Sequence, residues 1–236
     1  AYSENYILAY SHDEVVHGKA TILQQMWGDY EGKFPQARAL YLYMMTHPGT
    51  KLNFMGNELA EFDEWKEFQP ISFDVLNYPK HCGVQKLIAD LNHIYVEHPC
   101  MHIEEYNPKT FGWIMADNCD QSVYVFKRES EEECMIFIFN MTPNFYWDYD
   151  VGVPYEGTYR EILNTDKAIY GGWNQDNSQP LVTHGNGGAH NQKFKITLKI
   201  PSFGAIYLVH HKETEEDQKK RLAKDGNQTI ETTDIR

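Results

Sequence analysis

Basic residues are scarce in this sequence. Its 236 residues include 21 Lys and Arg against 34 Asp and Glu, which gives a formal net charge of −13 at pH 7. Binding to a nucleic-acid backbone or to an anionic membrane requires clustered Lys and Arg. The charge balance therefore argues against both kinds of partner, and it suits a neutral ligand such as a sugar.

Long apolar runs are missing as well. No stretch approaches the ~20 apolar residues that a membrane-spanning helix needs, and no secretory signal pattern is visible. The sequence contains no Cys-x-x-Cys pair, and its cysteines are widely spaced, at Cys82, Cys100, Cys119 and Cys134. We therefore expect reduced thiols and a cytoplasmic location.

The first 98 residues alternate between strand and helix patterns. The predicted elements are a strand at 6–10, a helix from about residue 36 that Pro48-Gly49 ends, a strand at 51–55, a polar loop at 57–80 and a helix at 84–98. The last helix has one apolar stripe, formed by Val84, Leu87, Ile88, Leu91 and Ile94. This alternation predicts βα units on a parallel sheet. Two units cannot close a barrel, and the chain starts without Met on a core-type strand, so we expect an earlier part of this domain to precede it.

After Pro99 the pattern changes to short strands separated by acidic or Asn-containing turns. The predicted strands lie at 111–115, 122–128, 135–140, 158–163, 193–200 and 205–210. Such a series predicts an antiparallel sandwich. Residues 213–236 are charged and lack aromatic anchors. The predicted fold class is therefore α/β plus all-β, with domains at 1–99 and 100–211 and a disordered tail at 212–236.

A polar triplet follows the first predicted strand at the point where it leaves the core. The apolar run ends at Tyr10 and is followed by Ser11 and by His12-Asp13-Glu14, while Asn57-Glu58 follow the second strand. In βα barrels the chemistry lies at the carboxyl ends of the strands. Carboxylates placed there can act on glycosidic bonds. A plain structural alternative is that Asp13 caps the helix that follows it.

Longer motifs carry a resemblance to a known family. SHDEVVHGK at 11–19 resembles a conserved region of the α-amylase superfamily, and its extended form resembles the glycogen branching enzymes. The resemblance continues through MWGDYEGKF, LYMMTHPGTKLNFMGNELA, the pair Glu64-Trp65, HCGVQKLIADLNHIY and FGWI, and resumes in FNMTPNFYWDYDVGVP, YREILNTD, YGGWN and IPSFGAIYLV. It covers the chain up to about Val209.

The resemblance implies a fold and a reaction. The fold is the last two βα units of a (β/α)8 TIM barrel followed by an antiparallel β-sandwich C-terminal domain. The reaction cleaves an α-1,4 linkage of a glucan or of glycogen, retains the chain as a glycosyl-enzyme and passes it to a 6-hydroxyl, without a metal or any cofactor. The family's nucleophile and acid/base have no matching motif in residues 1–236. We therefore expect the missing N-terminal portion of the same enzyme to supply both, and the chain alone to be inactive.

The resemblance also implies roles for individual residues. Asp13 matches the third catalytic carboxylate, which stabilises the transition state, and His12 matches the histidine that hydrogen-bonds sugar hydroxyls. Glu14, Glu58 and Trp65 are predicted to contact or support the substrate, and His17 and Lys19 to orient the loop. Two departures from the family lie at Leu59 and at residues 71–75, and they bear on acceptor or chain-length preference.

Other interpretations remain open at this stage. A debranching or hydrolysing relative would share these motifs. A non-catalytic carbohydrate-binding module could use a stacking platform of sandwich aromatics, namely Trp113, Tyr146, Trp147 and Trp173. A metal-dependent phosphohydrolase could use His12 and Asp13 as ligands, but it would need further ligands on neighbouring helices.

Overall fold

A computed structural model describes residues 9–184 and 187–211 of the chain. The predicted strand at 6–10 therefore lies mostly outside the described residues, and the predicted tail at 212–236 lies wholly outside them. The helices are α1 (Ile22–Gln25), α2 (Tyr30–Thr46) and α3 (Pro79–Glu97). The strands are β1 (Phe111–Met115), β2 (Val123–Glu129), β3 (Glu133–Asn140), β4 (Tyr146–Val153), β5 (Thr158–Asn164), β6 (Leu181–Val182), β7 (Phe194–Ile200) and β8 (Ala205–His211).

Helix α2 begins six residues earlier than its sequence pattern predicts. Gly32 and Pro35 lie inside its first two turns, and both residue types are unfavourable in a helix interior. Asp29 caps the helix by accepting a hydrogen bond from Gly32 N at 2.9 Å, and Phe34 is fully buried. Capping and burial thus outweigh intrinsic propensity at this end. The helix ends at Thr46, just before Pro48-Gly49, as predicted.

The two segments predicted as parallel strands meet at a single bridge. Tyr10 pairs with Asn53 in the parallel sense. Tyr10 N donates to Leu52 O at 3.2 Å, and Phe54 N donates to Tyr10 O at 2.9 Å. The prediction of a full strand at 51–55 is therefore wrong, because hydrogen bonding reaches only the centre of the segment. The parallel direction is as predicted, and the barrel to which these segments would belong stays a prediction.

The polar loop predicted at 57–80 contains two 3₁₀ turns, Asn57–Leu59 and Phe73–Asn77, which the sequence pattern did not reveal. It ends before Pro79, where α3 begins five residues earlier than predicted. Helix α3 follows and confirms the predicted apolar stripe. Val84, Leu87 and Leu91 are buried, and Ile88 and Ile94 pack at the edge of the same core.

The second half of the chain forms two antiparallel sheets. The larger sheet has the strand order β1-β2-β3-β8-β5-β6, and the smaller one pairs β4 with β7. All six predicted strands are present, within two residues at either end. Strand β4 was missed because Asp148, Asp150 and Gly152 resemble turn residues, and because a register shift between Tyr146 and Tyr149 breaks its alternation.

Strand β3 is buried along its whole length, because both faces of the larger sheet are covered. Met135, Phe137 and Phe139 point into a core shared with α2 and α3. Ile136 and Ile138 point into a second core between the two sheets. The first core contains residues from both sides of residue 99. The domain boundary predicted at that residue stays a prediction.

Polar contacts fix the C-terminal end of α2 to the same sheet. Tyr207 Oη donates to Leu42 O at 3.1 Å, and the buried Arg128 donates from Nη1 to Thr46 O at 3.2 Å. Buried polar groups need such partners, since an unpaired one costs about 1–3 kcal/mol. These bonds therefore hold the C-terminal end of α2 against the sheet.

We predict that truncations on opposite faces of β3 destabilise the same cooperative unit. Phe137→Ala should lower the free energy of unfolding by ~3–5 kcal/mol, and its neighbour Ile138→Ala by ~2–5 kcal/mol. Because one strand serves both cores, each variant should still unfold in one transition. Urea titrations followed by far-ultraviolet circular dichroism and by tryptophan fluorescence check this. Separate helix and sheet transitions in Phe137→Ala would contradict it.

Candidate functional site

The loop after Tyr10 presents His12 and Asp13 to solvent. Ser11 Oγ accepts a hydrogen bond from Asp13 N at 3.3 Å, so Ser11 caps the short 3₁₀ turn His12–Glu14. The helix-cap alternative for Asp13 is therefore wrong here. The Asp13 side chain is 70% exposed, and its Oδ1 lies 3.3 Å from His12 Nε2. A carboxylate and an imidazole are thus adjacent and both accessible to a ligand.

Aromatic side chains stand beside this pair. The His12 ring lies 5.9 Å from that of Phe54 and 6.3 Å from that of Trp65, between ring centroids. Phe54 and Trp65 pack edge to face at 5.3 Å. Trp65 is half-buried, and its N donates to Val15 O at 3.1 Å. The structure therefore brings together His12 and Trp65, which are 53 positions apart in the numbering.

Glu64 joins the two loops that carry these residues. Its Oε2 accepts from Gly18 N at 3.0 Å, and its Oε1 accepts from Ala20 N at 2.6 Å. These backbone N–H groups hold the pKa of Glu64 below its ordinary value. His17 and Ala20 adopt positive φ, 59° and 68°, a conformation that costs energy in non-glycine residues. Glu64 thus holds a strained loop in place.

Asn57 and Lys19 make further links at the two segment ends. Asn57 Nδ2 donates to Tyr10 O at 3.2 Å, and Tyr41 Oη donates to Asn57 O at 2.7 Å. Lys19, which was predicted to orient the loop, donates from Nζ to Asp13 O at 2.6 Å. The backbone that carries Asp13 is therefore tied to the chain on both sides of the parallel bridge.

The remaining predicted site residues make local contacts. Glu58 is half-buried, and its Oε2 accepts from Gly56 N at 2.9 Å, so it stabilises its own turn. Glu14 is half-buried, and its carbonyl accepts from Gln25 Nε2 at 2.9 Å. Leu59, one of the two family departures, is fully buried. Leu59 therefore packs in the interior, and its bearing on acceptor or chain-length preference stays a prediction.

A small cavity of about 120 Å³ opens next to Trp65. Its lining includes Val15, Asn57, Glu61, Glu64 and Ile71. Glu61 Oε1 is buried there without a hydrogen-bond partner, and burial raises the pKa of this carboxyl group. Sequence reasoning missed Glu61 and the linking role of Glu64, because both lie in an ordinary acidic loop. Only the fold shows that Glu64 accepts two backbone hydrogen bonds and that Glu61 Oε1 is buried without a partner.

The part of the chain that the structure describes offers neither a metal-binding cluster nor a membrane-spanning helix. Its residues contain no cluster of three or more His, Cys, Asp or Glu arranged to hold a metal ion. No helix within residues 9–184 and 187–211 is long and apolar enough to cross a membrane. The four cysteines are free.

We predict that Glu64→Gln loosens the loop that carries Asp13. A neutral amide has one acceptor oxygen and cannot replace a carboxylate that accepts two N–H groups. Amide hydrogen exchange at Gly18 and Ala20 should become several-fold faster. Glu67→Gln, at an exposed position of the same loop, serves as the matched control. Unchanged exchange at both amides in Glu64→Gln would contradict the proposed link.

The same contact should depend on pH in a defined direction. A carboxylate whose folded pKa is depressed stabilises the fold above its ordinary pKa, and this contribution is lost as the pH falls through the depressed value. Acidification should therefore protonate Glu64 later than an exposed Glu, and exchange at Gly18 and Ala20 should rise together with that protonation. NMR titration of the Glu64 side-chain carboxyl carbon checks this.

Comparisons with known proteins give a consistent result. Residues 113–211 match the family described as Alpha amylase, C-terminal all-beta domain. The chain is 40% identical over 221 residues to 1,4-alpha-glucan branching enzyme GlgB 1 of Clostridium perfringens, covering 91% of this chain and 33% of that protein. It is 46% identical over 178 residues to GlgB of Oceanobacillus iheyensis, covering 75% of this chain and 28% of that protein. The chain thus spans about a third of the length of the curated relatives it matches.

Solved structures share the fold at low sequence identity. A Nostoc punctiforme debranching enzyme superposes with a TM-score of 0.56 at 14% identity, covering 82% of this chain and 34% of that one. An alpha-amylase from H. orenii gives 0.51 at 17% identity, covering 86% and 38%. The resemblance predicted from the motifs is therefore confirmed: along about nine tenths of its length this chain is similar to 1,4-alpha-glucan branching enzymes of the α-amylase superfamily.

Proposed function

We propose that this chain is part of a retaining 1,4-α-glucan branching enzyme, which makes α-1,6 branches in glycogen. In this proposal, residues 9–98 are the last two βα units of a (β/α)8 barrel. The observation that carries the proposal is the exposed His12–Asp13 pair at the end of a bridge segment, beside Trp65. The similarity to GlgB proteins supports the assignment of reaction class.

Asp13 acts as an electrostatic stabiliser of the transition state. In a retaining mechanism, a nucleophilic carboxylate attacks the anomeric carbon while an acid protonates the departing 4-oxygen. We assign both of these groups to the rest of the enzyme. Positive charge develops on the sugar ring at this step, and the Asp13 carboxylate favours it more than it favours the ground state.

The second half of the reaction reverses these roles. The 6-hydroxyl of an acceptor glucan attacks the same anomeric carbon, the bond to the nucleophile breaks, and the acid/base residue takes the hydroxyl proton. Asp13 stabilises this transition state in the same way. A water molecule in place of the acceptor would give hydrolysis, so the branching outcome depends on how well acceptor binding excludes water.

The neighbours of Asp13 have supporting roles in this scheme. We assign His12 the role of donating a hydrogen bond to hydroxyls of the bound sugar, and its Nε2, 3.3 Å from Asp13 Oδ1, is close enough to orient that carboxylate. The half-buried Trp65 offers an aromatic edge to a sugar ring. Glu14 lies on the same 3₁₀ turn as His12 and Asp13. Glu58 stabilises the turn after the second bridge segment by accepting a hydrogen bond from Gly56 N.

We predict that Asp13→Asn abolishes most branching activity once the enzyme is complete. The chain can replace the corresponding portion of the Bacillus subtilis GlgB relative, to which it is 40% identical over 210 residues. The substitution keeps the shape of the side chain and removes its charge, so kcat should fall by about 10²–10³. KM should change far less, because the interaction matters mainly in the transition state. Iodine staining of amylose products and counting of α-1,6 linkages measure both.

Two controls bracket this experiment. Asp117→Asn changes an exposed carboxylate in the turn after β1, and it should leave branching unchanged. The 236-residue chain alone should show no turnover, since it lacks the proposed nucleophile. Asp13→Asn with more than about a tenth of the parent activity, or turnover by the chain alone, would refute this division of roles.

A further inference from the structure

A second concavity lies on the sandwich, at the start of α2. It has a volume of about 420 Å³ and shares no lining residue with the cavity beside Trp65. Its walls include four aromatic side chains, those of Phe145, Trp147, Trp173 and Phe203. Trp147 is 65% exposed and Trp173 is 80% exposed. Two large solvent-exposed aromatic side chains around one cavity are typical of a binding surface.

Only two of the four aromatic residues predicted to form a stacking platform line this cavity. Trp147 and Trp173 belong to it. Tyr146 instead packs on Tyr149 within the sandwich, at 5.1 Å between ring centroids, and Trp113 packs on Phe126 at 5.2 Å. Phe145 and Phe203 take their places, which only the fold could show.

Asp166 holds the loop that presents Trp173. Its Oδ1 accepts from Trp173 N at 3.1 Å, its Oδ2 accepts from Gln175 N at 3.0 Å, and its carbonyl accepts from Asn174 N at 2.6 Å. A Cβ added at Gly172 would lie 2.2 Å from Asp166 O, so a glycine is required there. The Trp173 ring is therefore displayed by a backbone that is already ordered, which lowers the entropic cost of binding.

Asn140 holds the opposite wall. This buried side chain donates from Nδ2 to Asn144 O at 2.7 Å and to Pro201 O at 2.9 Å. It thereby ties the segment that carries Phe145 to the turn that carries Phe203. Phe203 adopts a φ of +46°, and a bulky residue persists in that region only when its surroundings fix it. Both walls are thus built in advance of any ligand.

The chemistry of the lining favours a neutral, hydroxyl-rich ligand. Among the described residues that line the cavity, Asp166 alone is charged. Backbone N–H groups donate hydrogen bonds to both of its carboxylate oxygens. No Lys or Arg lines this part of the described chain, so phosphate groups would lack a partner. Gln175 and Ser202 offer an amide and a hydroxyl group at the cavity, and aromatic rings pack against the apolar faces of sugar rings.

We propose that this cavity is a non-catalytic binding site for an α-1,4-glucan chain, separate from the site around Asp13. The choice of an α-glucan among neutral saccharides rests on the proposed function, whereas the aromatic cavity itself does not. A second site of this kind tethers a long substrate to the enzyme and raises its effective concentration at the first site.

The test uses the whole chain and the indole N–H signals of its five tryptophans, which NMR resolves individually. Titration with maltoheptaose should shift the signals of Trp147 and Trp173. Trp173→Ala and Trp147→Ala should each weaken binding about tenfold. Ile169→Ala serves as the matched control, because Ile169 is 55% exposed on the same loop but does not line the cavity.

Each other outcome overturns part of the proposal. The proposed site would be refuted if the signals of Trp147 and Trp173 did not shift. It would also be refuted if the control variant Ile169→Ala bound maltoheptaose as weakly as Trp173→Ala. An equal response to cellohexaose would overturn the assignment to α-glucans. Failure of the completed enzyme to branch amylose would refute the proposed function and would leave this binding measurement standing, so the two failures are distinguishable.

Discussion

The burial of β3 on both faces is the constraint on which the rest of the structure depends. Phe137 and Ile138 are adjacent, yet one belongs to the core with α2 and α3 and the other to the core between the sheets. A strand can separate two cores in this way because successive side chains point to opposite faces. The bonds of Tyr207 and Arg128 then fix the end of α2 on that sheet. The candidate site is therefore positioned by the sandwich as well as by its own loops.

Both proposed sites use the same physical device. In each, a polar side chain accepts or donates several backbone hydrogen bonds, and the loop that it orders presents an exposed functional side chain. Glu64 does this for the loop of His12 and Asp13, and Asp166 does it for Trp173. Ordering the backbone before a ligand arrives reduces the cost of binding, and in catalysis it keeps charge where the transition state needs it.

The sequence was sufficient for features that depend on local pattern and insufficient for those that depend on distant contacts. The stripe of α3 and six strands follow from periodicity, and the His12–Asp13 pair follows from a motif at a segment end. The early start of α2 depends on a cap and on burial of Phe34, which offset Pro35. The role of Glu64 depends on partners more than 40 residues away, and no local pattern announces such a contact.

Native-state hydrogen exchange tests the central claim that one sheet holds the helices and the sandwich together. If the claim is right, the slowest amides of α2, α3 and β3 should share one opening free energy and should lose protection together as denaturant is added, because each exchanges only through global unfolding. The claim is contradicted if α2 and α3 exchange through a smaller opening of their own while β3 stays protected.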